Sequence, residues 1–126
     1  MRFMIIVKAT SDSEAGVMPS ASRIAEMDAF HEELARAGVL LDLAGLKARS
    51  HGWRVAIAAD GERRVLDGPF AETKELIAGY TLIQVRSRDE AVEWSRRFPN
   101  PTPDGSACEI EVRQLFEAED FTPVNA

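Results

Sequence analysis

Two stretches of this chain are apolar at consecutive positions rather than at alternate ones. The first runs from Phe3 to Val7 inside a predicted strand over residues 2–9, and the second lies in a predicted strand over residues 79–86. A strand that is apolar on both faces is covered on both sides. The pattern therefore places both segments at the centre of a sheet whose two faces are buried.

Two other segments have the three- and four-residue spacing of amphipathic helices. The first is predicted to begin after its N-cap Ser20, to run to about Ala37, and to end at Gly38. The second begins with the capping box Ser87-Arg88-Asp89-Glu90. The positions expected on the buried faces are Ile24, Met27, Phe30, Leu34 and Ala37 in the first helix and Ala91, Trp94 and Phe98 in the second.

A β-hairpin is predicted in the middle of the chain. Trp53, Val55 and Ile57 alternate with smaller or charged residues, which is typical of a half-buried strand. Asp60-Gly61 is a strong signal for a two-residue turn, and residues 62–66 form the returning strand.

Strands predicted at residues 39–46 and 107–115 complete the order of elements. The order strand, helix, strand, hairpin, strand, helix, strand predicts an α+β, ferredoxin-like domain with an antiparallel sheet, both helices on one face and an added β-hairpin. No helix remains for the second face of the sheet, so we expect that face to pack on the same face of a second copy in an isologous homodimer. We expect residues 1–116 to form this single domain and residues 117–126 a C-terminal tail.

Composition narrows the class of protein. The net charge of −6 argues against a nucleic-acid or anionic-membrane partner, because both require a basic footprint. Cys108 is the only cysteine of the sequence, which excludes a disulfide within the chain and indicates a reducing compartment. Its strand-like surroundings predict a buried, inert thiol. The apolar run near the N-terminus is too short for a signal peptide or a membrane span, so we expect a cytoplasmic protein.

The most distinctive polar stretch follows the hairpin. Asp67-Gly68-Pro69 is a turn signal, because Gly68 tolerates positive φ and Pro69 restricts the residue before it. Phe70 is the one large apolar residue of this loop, and we expect it to anchor the loop in the core, with Gly68 and Pro69. The loop residues that are candidates for ligand binding are Asp67, Glu72, Thr73 and Lys74.

The run Asp67-Gly68-Pro69-Phe70-Ala71-Glu72-Thr73-Lys74-Glu75 resembles the signature of the DGPF subgroup of YCII-related domain proteins. Met18-Pro19, Ala37-Gly38-Val39-Leu40 and Glu90-Ala91-Val92-Glu93-Trp94 are also similar to that family. The resemblance implies a dimeric α+β barrel. It implies less about activity, since some relatives resemble small lyase-like enzymes such as dehydrochlorinases, and others accompany extracytoplasmic-function sigma factors.

Two positions depart from the family pattern. YCII-type relatives carry a histidine in the first helix that is proposed to pair with an aspartate as a catalytic dyad. Counted back from Gly38, that position is Met27, and His31 does not fall on it, so we expect the dyad to be absent. Ala44 stands where DGPF relatives usually have a glutamate.

The remaining candidates for catalysis are Asp67, Lys74, Tyr80 and His31. Asp67 is a base if desolvation raises its pKa, and Lys74 is a clamp for an anionic ligand. Tyr80 is a hydrogen-bond donor, and His31 is a base or ligand donor in a pocket. The alternative reading is structural: Asp67 caps its own turn, Lys74 is solvated, and His31 is partly buried and hydrogen-bonded. No residues have the spacing of metal ligands or of a phosphate-binding loop, so neither a metal nor a cofactor is expected.

Three functions remain open from the sequence. The chain is a small-molecule-binding or regulatory accessory protein, a small-molecule enzyme of general acid–base type, or a protein whose loop has only a structural role. The first is preferred, and the lyase-like enzyme without the dyad is the alternative. The resemblance adds a functional link to an extracytoplasmic-function sigma factor as an expected partner.

Overall fold

A computed structural model describes residues 1–67 and 76–121 of the chain. Short 3₁₀ helices lie at Arg49–His51 and Ala118–Asp120. In chain order the other elements are β1 (Arg2–Lys8), α1 (Ser11–Glu14), α2 (Ala21–Arg36), β2 (Leu40–Gly45), β3 (Trp53–Ile57), β4 (Arg63–Asp67), β5 (Ile77–Gln84), α3 (Arg88–Arg96) and β6 (Ile110–Gln114).

Strands β2, β5, β1 and β6 form an antiparallel sheet in that order. Both β1 and β2 are antiparallel to β5, so they run parallel to each other with β5 between them, and α2 connects them. In the same way, β5 and β6 flank β1 and are connected by α3. The result is a pair of split β-α-β units, the motif of ferredoxin-like domains. The predicted α+β class and antiparallel sheet are confirmed.

The hydrophobic core lies between the two longer helices and one face of this sheet. Ile5 and Ile83 from the central strands and Leu34 from α2 are each 0% exposed, and Ala91 of α3 joins the same cluster. Full burial of such side chains stabilises the fold by about 1.5–3 kcal/mol each. The helices therefore cover one face, as the order of elements predicted.

Local chemistry sets the ends of α2. The hydroxyl of Ser20 accepts a hydrogen bond from the backbone N–H of Arg23 at 3.4 Å, which caps the start of the helix. At the other end, the N–H of Val39 donates to the carbonyl of Leu34 at 3.1 Å, and Gly38 has a φ of 74°. This is a Schellman motif, which requires the left-handed conformation that glycine adopts most readily.

The buried stripe of α2 is shorter than the sequence predicted. Phe30 and Leu34 are buried, but Ile24 is 42% exposed and Ala37 is exposed as well. Only the C-terminal half of the helix, before its final turn, lies over the core. Periodicity identified the correct face of the helix but not the length over which that face is covered.

The opposite face of the sheet is less buried. Because successive strand residues point to opposite faces, Met4 and Ile6 of β1 share this second face with Tyr80 and Leu82 of β5. All four residues are half-buried, in contrast to Ile5 and Ile83 on the helix-covered face.

The predicted hairpin is present, and it forms a two-stranded sheet of its own from β3 and β4. The expectation that β3 is half-buried was wrong, because Trp53 is 66% and Ile57 59% exposed. A strand is half-buried only if one of its faces packs on another layer. Alternation of apolar residues does not say whether that layer exists.

The turn of this hairpin has one more residue than predicted. The N–H of Gly61 donates to the carbonyl of Ala58 at 2.9 Å, and the N–H of Ala58 donates to the carbonyl of Glu62 at 2.8 Å. Residues 59–61 therefore form a three-residue loop, with Gly61 at a φ of 90° as the left-handed residue. This loop type is the next most common after the two-residue turn.

Two further local expectations needed correction. Glu90 does complete a cap at the start of α3, but its carboxylate accepts from the N–H of Arg86 at 3.0 Å rather than from Ser87. Cys108 is exposed and not buried, because β6 begins only at Ile110 and leaves the thiol outside the sheet. Among the described residues, no helix has the length and apolar character needed to span a membrane.

Candidate functional site around His31

His31 and Thr81 form a hydrogen-bonded pair beneath α2. The Nε2 atom of His31 lies 2.8 Å from the Oγ1 atom of Thr81. Thr81 is paired with Ile5 in the sheet, so its side chain belongs to the helix-covered face, where it is 2% exposed. A polar group buried in that way requires a partner, and the imidazole supplies it.

Aromatic rings surround the imidazole. The ring of Phe30 is 5.9 Å from that of His31 and the ring of Phe98 is 6.3 Å away, both in edge-on orientations. Desolvation by this environment lowers the pKa of His31 below its ordinary value, although the carbonyl of Met27 and the charge of Asp28 act in the opposite direction. The imidazole is therefore neutral near neutral pH.

A cavity of about 210 Å³ lies beside this pair, between α2 and the sheet. Met27, Asp28 and His31 line it from the helix, and Leu43 and Thr81 line it from the strands. The cavity thus has mainly apolar walls and places one imidazole and one carboxylate in reach of whatever enters it.

Tyr80 contributes its hydroxyl to a different place. That hydroxyl donates a hydrogen bond to Oδ2 of Asp42 at 3.0 Å, and this bond raises the pKa of Tyr80. Tyr80 borders the cavity, but it directly precedes Thr81 in β5, so the two side chains point to opposite faces of the sheet. The hydroxyl of Tyr80 and the imidazole of His31 are therefore not brought together.

Asp67 is the last residue of β4, where it is exposed and opposite Trp53. Its expected roles as a base or a ligand contact stay predictions. The other loop candidates, Glu72, Thr73 and Lys74, and the expected anchor Gly68, Pro69 and Phe70, lie outside the described residues.

The model of the YCII-related domain matches residues 1–116. The chain belongs to the YCII-related domain family. It is also similar to an uncharacterized protein of Rhizobium meliloti (strain 1021), with 42% identity over 57 residues. That alignment covers 45% of this chain and 46% of the relative, so the match spans about half the length of the relative.

The resemblance to YCII-type relatives predicted that Met27 occupies the position of their proposed dyad histidine, and this assignment stays a prediction. Met27 lines the cavity, and His31 lies one helical turn later on the same side of α2. The imidazole therefore reaches the same cavity from the next turn, and its hydrogen-bond partner is the hydroxyl of Thr81 rather than a carboxylate.

Sequence reasoning identified His31 and Tyr80 but missed their hydrogen-bond partners, Thr81 and Asp42. A threonine between apolar neighbours of a central strand was the available signal, because a buried hydroxyl needs a partner. Asp42 was visible as the only charge in its strand. Within residues 1–67 and 76–121, no group of three His, Cys, Asp or Glu side chains is placed to hold a metal ion.

Proposed function

We propose that this YCII-related protein binds a small molecule in the cavity beside His31. The observation that carries the proposal is a neutral imidazole, held by Thr81, at the wall of a cavity of about 210 Å³. Cavities for drug-sized ligands are typically about 300–1,000 Å³, so the expected ligand, or the part of it that enters, is smaller. Mainly apolar walls with one imidazole and one carboxylate favour an apolar body with a single polar group.

A metabolite screen tests this proposal directly. Thermal shift against a library of small polar-apolar metabolites is expected to give compounds that stabilise the wild type and not His31→Gln. His51→Gln is the matched control, because His51 is the second histidine of the sequence, is exposed, and does not line this cavity. A screen in which every stabilising compound stabilises His31→Gln as well as the wild type would contradict the proposal.

Enzymatic acid–base chemistry is the second candidate, and the lowered pKa of His31 favours it. A neutral imidazole can accept a proton near neutral pH, and because its Nε2 atom faces the hydroxyl of Thr81, a proton from a ligand would reach it through that hydroxyl. We expect such an enzyme to turn over one of the stabilising compounds and His31→Gln to lose that turnover while still unfolding in one cooperative transition. Binding without turnover of any compound favours the accessory protein over the enzyme.

We also propose that the chain belongs to the DGPF subgroup of the YCII-related family. The run from Asp67 to Glu75 supports the DGPF subgroup, and through it a regulatory link to an extracytoplasmic-function sigma factor. Co-purification of the tagged protein with such a factor from its own cells tests the link, with an unrelated tagged protein as the control.

We also propose that the second face of the sheet forms a homodimer, with the dimeric α+β barrel as the expected assembly. Support comes from the row of neighbours that crosses the sheet: Asp42, Leu82, Met4 and Arg113. The row has an acidic end, an apolar middle and a basic end. A two-fold axis parallel to the strands reverses the row, so that Asp42 faces Arg113 of the second copy and Leu82 faces Met4.

Charge reversal tests this arrangement. Arg113→Asp places two carboxylates opposite each other and is expected to weaken the dimer, and Asp42→Arg does the same with two guanidinium groups. The double variant restores opposite charges and is expected to recover the dimer. Sedimentation over a range of protein concentrations measures the dissociation constant of the dimer for the wild type and for each variant. A wild type that stays monomeric at micromolar concentration contradicts the dimer, and a double variant no tighter than the singles contradicts the register.

A further inference from the structure

A second and larger cavity lies where strands β1 and β2 end. Its volume is about 590 Å³, which is within the range of sites for drug-sized molecules. Val7, Gly45 and Ala78 line both this cavity and the one beside His31, so the two adjoin. Binding in the larger cavity depends on its own lining residues and not on a role for His31.

Large apolar side chains converge on this cavity while remaining accessible to solvent. Met18 is 75% exposed, Leu46 is 51% exposed and Val17 is 47% exposed, and all three line the cavity. Pro19 and Pro101 add further apolar wall. When an apolar molecule covers a concave, solvent-exposed apolar surface, the free energy of the system decreases. The walls therefore favour an occupant with a substantial apolar body.

The charges around the cavity favour an anion. Two lysines, Lys8 and Lys47, line it, against a single acidic lining residue, Glu109. Lys8 is already 3.6 Å from a carboxylate oxygen of Glu111. No ion pair joins Lys47 to a carboxylate within residues 1–67 and 76–121. On a chain with a net charge of −6, this basic surplus is local.

We propose that the larger cavity binds an amphipathic carboxylic acid. Its aliphatic or aromatic body packs against Met18 and Leu46, and its carboxylate pairs with the ammonium group of Lys47. A second copy of the chain or a segment of the same chain in this position would exclude such an acid, so a failure of the acid to bind is the result expected for either of those occupants.

Three probes separate the apolar and the charged part of the recognition. 4-Phenylbutyrate has an apolar phenylpropyl group and a carboxylate. 4-Phenylbutanamide has the same apolar group without the charge, and butyrate has the carboxylate with only a short apolar chain. Calorimetry at neutral pH is expected to show binding of 4-phenylbutyrate up to about 5-fold tighter than of the amide, because an exposed ion pair contributes at most about 1 kcal/mol. Butyrate is expected to be weaker still. Equal binding of acid and amide, or no binding of the acid, overturns the proposal.

Cys108 reports the position of the bound probe. It lines the cavity, is exposed, and is the only cysteine of the sequence, so a neutral disulfide reagent modifies one site. Saturating 4-phenylbutyrate is expected to slow that modification several-fold. An unchanged rate under saturation places the acid elsewhere and overturns the proposal.

Variants at exposed positions keep the test independent of folding. Met18→Glu puts a like charge against the apolar body and is expected to weaken acid binding more than about 10-fold, and Lys47→Gln about 5-fold. Ile57→Glu is the matched control for the first, because Ile57 is 59% exposed and lines no part of this cavity. Arg64→Gln removes the same charge from the exposed hairpin and is the control for the second. Equal losses in a variant and its control overturn the assignment.

Discussion

The Nε2 atom of His31 lies 2.8 Å from the Oγ1 atom of Thr81, and this contact ties the middle of α2 to the centre of the sheet. Both groups lie on the face of the sheet that the helices cover. The hydroxyl of Thr81 fixes the orientation of the imidazole. In return, the imidazole is the hydrogen-bond partner of Thr81, which is only 2% exposed. The same pair therefore supports both the packing of the domain and the chemistry of the adjoining cavity.

Removal of the hydroxyl of Thr81 should destabilise the protein. Thr81→Val keeps the shape of the side chain but leaves the ring nitrogen without this partner, so we expect the free energy of unfolding to fall by about 1–2 kcal/mol. Urea denaturation at neutral pH measures the change. Thr81→Ser retains the hydroxyl and serves as the control. If Thr81→Val is as stable as the wild type, the hydrogen bond does not contribute to stability.

The lowered pKa of His31 predicts a loss of stability in weak acid. Below the ordinary pKa of 6.5, the unfolded chain binds more protons at this position than the folded chain does. The free energy of unfolding therefore decreases as the pH falls from about 6.5 towards the folded pKa, and it is unaffected by this group above 6.5. Asp28 and the carbonyl of Met27 oppose the shift and limit its size.

Urea denaturation at about pH 7 and about pH 5 checks this expectation. We expect the wild type to lose more stability between these pH values than His31→Asn does. His51→Asn should lose as much stability as the wild type does, because His51 is exposed and its replacement leaves the half-buried ring of His31 in place. Equal losses in the wild type and His31→Asn would show that the ring titrates as it does in the unfolded chain.

Two facing glycines should respond differently to an added methyl group. A Cβ on Gly79 would lie 2.8 Å from the carbonyl oxygen of Ala44, whereas a Cβ on Gly45 would meet nothing within 4 Å. A backbone atom cannot rotate away, so β2 and β5 would have to separate. We expect Gly79→Ala to lower the free energy of unfolding by about 1–3 kcal/mol. Gly45→Ala should change it by less than about 0.5 kcal/mol.

Thermal and urea unfolding of both variants compares them under the same conditions. The two glycines are direct partners in the sheet, so each variant is the other's control. Similar stabilities for Gly79→Ala and Gly45→Ala would mean that the strands are not as close at this point as the structure places them.

The hydrogen bond between Tyr80 and Asp42 should be visible by absorbance. Tyr80 is the only tyrosine of the sequence, so an ultraviolet titration reports one group. Because the carboxylate holds the phenolic proton and raises the pKa of Tyr80, Asp42→Asn is expected to lower the midpoint towards the ordinary value of 10.0. Asp60→Asn, in the hairpin turn, is the control and should leave the midpoint unchanged. A midpoint that does not move in Asp42→Asn would contradict the bond.

Local signals predicted the regular elements well. Ser20 and Gly38 delimit α2 because capping and a left-handed residue act within a few positions of the helix ends. The apolar runs of β1 and β5 identified the two central strands of the sheet. These features depend on neighbours in the chain.

Exposure was predicted less well. Trp53 and Cys108 stand in patterns that are typical of buried strand residues, and both are exposed. Whether a strand face is covered depends on where the other layers lie, and the residues of the strand do not carry that information. The same reason explains the exposed Ile24 at the start of α2.

The sequence by itself determined the class of the fold, the order of its elements and the membership of His31 in the set of candidate residues. Only the tertiary structure decided that His31 meets Thr81, and that the hydroxyl of Tyr80 turns instead to Asp42 on the other face. Element formation depends on contacts over a few residues, whereas these partnerships depend on strand order and register. A shift of one residue in β5 would exchange the two faces and give His31 a different partner.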